Sequence, residues 1–112
     1  MNYKIKSRIW VELDGEEFLG EGKIQLLKAI NETGSLSKAA KLMKISYKKA
    51  WHLLDAVNKS SKEPVIVISI GGKGGGGTEV TTYGKSLILV FEEINKNCWN
   101  FLDIQLEKMK SL

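Results

Sequence analysis

A chain of 112 residues has room for one modest core, and its 43% hydrophobic and 27% charged residues make an ordinary globular balance. One cysteine, Cys98, excludes an internal disulfide, and with one histidine, His52, it cannot build a His/Cys zinc cluster. The net charge of +4, carried mostly by lysine, leans towards an acidic partner.

The N-terminus, MNYKIKSRIW, lacks an apolar stretch of signal-peptide length. RIWVEL, residues 8–13, then alternates Ile9, Val11 and Leu13 with Arg8, Trp10 and Glu12, which is strand periodicity. Asp14-Gly15 is a hairpin signal and EEFLG reads as the short return strand. Helix spacing follows at Ile24, Leu27 and Ile30, with Gly34 placed to end a helix over about 22–33. Ser35 and Ser37 are both possible N-caps for a short helix whose apolar face is Leu36, Ala39, Ala40 and Met43. Ser46 offers another cap, so a tight turn at Lys44-Ile45 leads into a longer helix carrying Ala50, Leu54 and Val57. This is helix-turn-helix spacing over about 35–60.

VIVISI, residues 65–70, reads as a strand that starts after Pro64, and TEVT, residues 78–81, as its return. Between them stands GGKGGGG. From about 82 to 110 the pattern is helical again, with Leu87, Phe91, Ile94, Cys98 and Phe101 spaced 4-3-4-3, the seam expected of a dimerisation helix. The longest unbroken apolar run, LILVF, is far too short to cross a bilayer, so no membrane contact is expected. The expected fold is α+β and mainly α: a single winged helix-turn-helix domain over 1–112, with an N-terminal β-hairpin, a wing at about 65–81 and a long C-terminal helix.

On that reading the glycine loop is the wing tip. Glycine lets the backbone approach a phosphate closely, and Lys73 adds charge beside Gly74 and Gly75. Gly72 to Gly77 also fits a dinucleotide GxGxxG, but TEVT follows where that motif needs a helix. A phosphate-binding P-loop fails because Lys73 precedes Gly74 rather than Ser or Thr. The plain alternative is a hairpin connector without function.

In a helix-turn-helix the start of the second helix enters the major groove. Here that start is Ser46, Tyr47, Lys48 and Lys49, with His52 one turn on, while Ser35, Ser37 and Lys38 begin the preceding helix, where phosphates would lie. Lysine can donate to guanine O6/N7 or to phosphate, and serine and tyrosine to phosphate. Lys41, Lys44, Lys59 and Lys62 enlarge the basic stretch. Such lysines can also simply solvate helix surfaces. Trp51 is expected to pack in the core or against the wing. No nucleophile–base pair is visible, so no enzyme is expected.

GSLSKAAK, ISYKKAW, GGKGGGG and TTYG, in this order and spacing, resemble the N-terminal DNA-binding domain of the ModE family of molybdate-responsive transcriptional regulators. The resemblance covers about residues 22–90. It implies a winged helix that binds double-stranded DNA as a homodimer and regulates transcription. The single cysteine and the lack of a signal-length apolar stretch lead to an expected place in the cytoplasm. The family's molybdate-binding domains lie C-terminal to this one, so molybdate binding is not expected within a chain ending at Leu112, and no cofactor is expected. VIVISI departs from the family in lacking charged residues just before the glycine loop. A winged helix that binds protein instead of DNA is the alternative.

Overall fold

The computed structural model describes residues 1–69 and 77–112. Strands β1 (Trp10–Leu13) and β2 (Glu16–Gly20) pair antiparallel, and Asp14 and Gly15, both with positive φ, make the turn between them. A bulge between Val11 and Glu12 breaks the register, and β1 lies fully exposed, so its apolar alternation contributes no core face. Leu19 of β2 does enter the core. The buried Lys23 fastens the hairpin to the next helix, donating from Nζ to the Glu17 carbonyl oxygen at 2.6 Å.

Helices α1 (Glu21–Thr33), α2 (Leu36–Met43) and α3 (Tyr47–Ser60) follow with short connections. Gly34 ends α1 at φ 69°, a left-handed conformation that costs glycine nothing. Its N–H donates to the Ile30 carbonyl oxygen. Of the two serines offered as caps for α2, Ser35 takes the role, its hydroxyl oxygen accepting from the Lys38 N–H at 3.1 Å. Lys44 closes α2 at φ 57°, and the Ile45 N–H returns to the Ala40 carbonyl oxygen, a Schellman closure without the usual glycine. Ser46 then caps α3 by accepting from the Lys49 N–H at 3.0 Å. Ile24, Leu27 and Ile30 of α1, Leu36, Ala39 and Ala40 of α2, and Ala50, Leu54 and Val57 of α3 meet in one core. These are the positions that helical spacing selects.

Strands β3 (Ile66–Ser69) and β4 (Gly77–Val80) pair antiparallel, Ile66 opposite Val80 and Ser69 opposite Gly77, and form the base of a wing. The molecule is therefore a mainly helical α+β winged helix. The wing's limits differ from expectation at three described residues, the first being Val65, which precedes β3 instead of opening it. Gly77 joins β4, and Thr81 leaves it to become the N-cap of α4 (Thr82–Lys110), accepting from the Gly84 N–H and donating to the Pro64 carbonyl oxygen. Ile70 and the loop residues up to Gly76, including Lys73, Gly74 and Gly75, lie outside the described residues.

Three short-range devices join the wing base to the helices. The Thr78 N–H donates to the Gly34 carbonyl oxygen at 3.0 Å. The Asn58 side-chain oxygen of α3 accepts from the N–H groups of Val65 and Ile66 at 2.8 and 3.4 Å. Gly84 lies so close to the wing base that an added Cβ would stand 2.5 Å from the carbonyl oxygen of Val65, just before β3, and 2.8 Å from Val80 Cγ1 of β4. The glycine of TTYG is thus what lets α4 rest against the wing.

Within α4 only Gly84, Ile88 and Phe91 are buried, so most of this 29-residue helix runs beyond the core. Phe91 corrects the expected seam: it is 3% exposed, inside the chain's own core. The physical reason is phase. Gly84, Ile88 and Phe91 form the inward stripe, and Cys98 continues it, half-buried with its sulfur 3.8 Å from the Ser7 hydroxyl. No helix among the described residues is long and apolar enough to cross a membrane.

Candidate nucleic-acid interface

The turn Lys44-Ile45-Ser46 sets α3 against α2, and three buried residues fix its rotation. With Ala50, Leu54 and Val57 turned inward, Tyr47, Lys48, Lys49 and His52 are all exposed. Ser46 is exposed too, while its hydroxyl is engaged as the cap. Across the turn Ser37 and Lys38 are exposed, and Ser35 is half-buried with its hydroxyl holding the start of α2. Of the expected contacts on these two helices and their caps, all but Ser35 are exposed, and the Ser35 and Ser46 hydroxyls are taken up by capping.

The charge on this face is one-sided. Lys38, Lys41, Lys44, Lys48, Lys49, Lys59 and Lys62 are all exposed. Asp55, the acidic residue within residues 38–62, is held by Lys59 at 2.9 Å, one turn further along α3. Lys48 and Lys49 make no ion pair among the described residues. Their charge is therefore open to an incoming anion. A shallow groove of about 530 Å³ runs between the start of α3 and the N-terminal hairpin, lined by Glu17, Lys23, Ser46, Lys48, Lys49 and His52 among others.

Trp51 departs from the expected core position: it is 43% exposed and meets the His52 ring edge-on at 5.5 Å between centroids. Wing residues 70–76, part of the other packing surface expected for it, lie outside the described residues. Helical spacing explains this, because Ala50, Leu54 and Val57 already fill the inward stripe and Trp51 falls on its flank. Asn58 was not singled out from the sequence, since a lone polar residue near a helix end gives no signal of a tie to a strand across space. Gly84 did carry a signal, as a glycine inside a helical run.

On α4, Leu87 is half-buried, whereas Ile94 and Phe101 are 48% and 60% exposed. Val90 and Ile104 are exposed with them, giving an outer apolar stripe at 87, 90, 94, 101 and 104. The helix is also held to α1 by Lys28, whose Nζ lies 2.7 Å from a Glu92 carboxylate oxygen. That hydrogen bond, and next the carboxylate's charge, raise the Lys28 pKa above the ordinary lysine value. Among the described residues no group of three or more His, Cys, Asp or Glu side chains could hold a metal ion.

No protein-family model matches the chain. Curated relatives do. The chain is 33% identical over 106 residues to the molybdenum transport protein ModE of Azotobacter vinelandii, which covers 95% of this chain and 39% of that protein. It is 40% identical over 86 residues to the transcriptional regulator ModE of Haemophilus influenzae, covering 77% of this chain and 34% of the relative. With the molybdenum-pterin-binding protein MopB of Rhodobacter capsulatus it shares 41% identity over 76 residues, 68% of this chain and 28% of the relative. The chain thus spans between a quarter and two fifths of the length of these relatives.

Proposed function

The chain is a relative of the ModE regulators over the stretch it shares with them, and we propose that it binds duplex DNA and regulates transcription. Related proteins are the transcriptional regulator ModE of Haemophilus influenzae and, in Escherichia coli, the DNA-binding transcriptional dual regulator ModE. The observation that carries the reading is the exposed start of α3. It presents Tyr47, Lys48, Lys49 and His52 on one outer surface, backed by lysines of α2 and the α3 C-terminus.

In this reading α3 lies in the major groove, with Lys48, Lys49 and His52 towards base edges and Tyr47 and Ser46 towards phosphate. Ser35, Ser37 and Lys38 meet the backbone at the start of α2. The wing follows the adjacent phosphates, with Lys73, Gly74 and Gly75 at its tip. Phosphate contacts supply most of the affinity, and α3 supplies the choice of sequence. The outer stripe of α4 supports a homodimer, because Ile94, Phe101 and Ile104 would otherwise stay in water. The setting is the cytoplasm, where Cys98 stays a free thiol.

The test is selection of bound duplexes from a random pool, followed by gel shifts at two salt concentrations. A two-fold symmetric site with strongly salt-dependent affinity is expected. Recovery of no preferred sequence, with weak binding indifferent to salt, would turn the reading towards a protein-binding winged helix. The exposed Val67 and Ile68 on β3 are the feature that alternative would use.

A further inference from the structure

We propose that Trp51 is a specificity-determining residue that packs its indole on thymine methyl groups in the major groove. The inference rests on the reading of α3 as the groove helix and goes beyond it to a base.

The position of Trp51 follows from helix geometry. Residues seven apart on a helix differ in direction by only ~20°, so Trp51 lies on the same stripe as Asn58, about 10 Å nearer the start of α3. Asn58 faces the wing, since its side chain accepts from Val65 and Ile66. Trp51 therefore projects from the wing-side flank of α3, near the end that would enter the groove. The opposite flank belongs to the groove beside the hairpin, where Lys49, Leu53 and Ala56 lie. Helical spacing puts Lys48 and His52 between the two flanks, exposed and also lining the rim of that groove.

An exposed tryptophan among lysines needs a partner that is apolar at one point and acidic around it. A second copy of this face would set Lys48, Lys59 and Lys62 against their own kind. Duplex DNA meets both demands: its phosphates suit the lysines, and the thymine C5-methyl is the apolar feature of the major-groove edge. The edge-on His52 ring braces the indole from one side, which limits the freedom that binding would remove.

The duplex recovered from the random pool is the probe. Each thymine in it is replaced in turn by deoxyuridine, which removes the methyl and leaves every hydrogen-bonding group. The unmutated protein is expected to lose about fourfold in affinity at one or two positions, the equivalent of one methyl of buried area. Trp51→Ala should bind the thymine duplex more weakly and no longer distinguish it from the deoxyuridine versions. Trp51→Phe should keep part of the distinction. If the unmutated protein binds the duplex but never distinguishes thymine from deoxyuridine, or if Trp51→Ala still does, the proposal is overturned. Failure to bind any duplex would overturn the reading of α3 itself, a separate result.

Discussion

Two residues carry backbone constraints that can be read directly. Gly84 has no room for a Cβ, so Gly84→Ala must push α4 away from Val65 and Val80. Overpacking of this kind typically costs about 1–3 kcal/mol. We expect a clear drop in melting temperature by calorimetry, and a variant as stable as the original would mean that α4 does not rest on the wing. Lys44 is the opposite case, a side-chain-bearing residue at φ 57°. Lys44→Gly should raise stability by about 1 kcal/mol in denaturant unfolding, because glycine relieves the left-handed strain. The same change removes a charge near the proposed phosphates, so DNA affinity should fall as stability rises. Lys48→Ala and Lys49→Ala separate two roles. A lysine on a base should cost about 1–3 kcal/mol on the selected site, whereas a lysine on phosphate should weaken all sequences alike and flatten the salt slope by about one. Full affinity in the double variant would remove α3 from the mechanism.

At the scale of elements, the sequence is most informative where structure is decided locally. Ser35 and Ser46 cap through their own next turns, and the apolar spacing of α1, α2 and α3 picks out the core residues. Legibility ends where two apolar stripes compete. On α4 the inward stripe through Ile88 and Phe91 and the outer stripe through Val90 and Ile94 are both hydrophobic. Periodicity alone cannot rank them, so the expected seam took Phe91 from one and Ile94 from the other. Trp51 fails for a related reason, since residue type suggests burial and only the packed positions of Ala50 and Leu54 exclude it. Asn58 acts on a strand that no local pattern connects to it. The contact of α1 with α4 adds a pH dependence. The Lys28 pKa is raised in the folded chain, so its stabilisation is complete below the ordinary lysine pKa and is lost as pH rises through the raised value. The melting-temperature gap between the original and Lys28→Met should stay constant near neutral pH and close only in strong alkali. A gap that is already closed at neutral pH would show that Glu92 contributes nothing there.

Over the whole molecule, the longest dimension is 64 Å and α4 supplies much of it, about 44 Å at 1.5 Å per residue. The proposed dimer places its seam on the part of this helix beyond Phe91. Ile94→Lys with Phe101→Lys should leave each fold intact and yield a monomer in sedimentation, with the two-fold site bound far more weakly. A variant that still sediments as a dimer would put the interface elsewhere. Because Gly84 clamps the start of α4 to the wing base and the helix then runs without a break to Lys110, torsional phase is transmitted along it as along a keyed shaft. One alanine inserted after Glu93 turns the seam by about 100° relative to the reading head, while seven return it to within about 20°. The first insertion should leave dimerisation in place, lower the melting temperature only by the loss of the Cys98 contact with Ser7, and still prevent two heads from meeting one palindrome. The second should restore binding to a site whose halves are spaced differently.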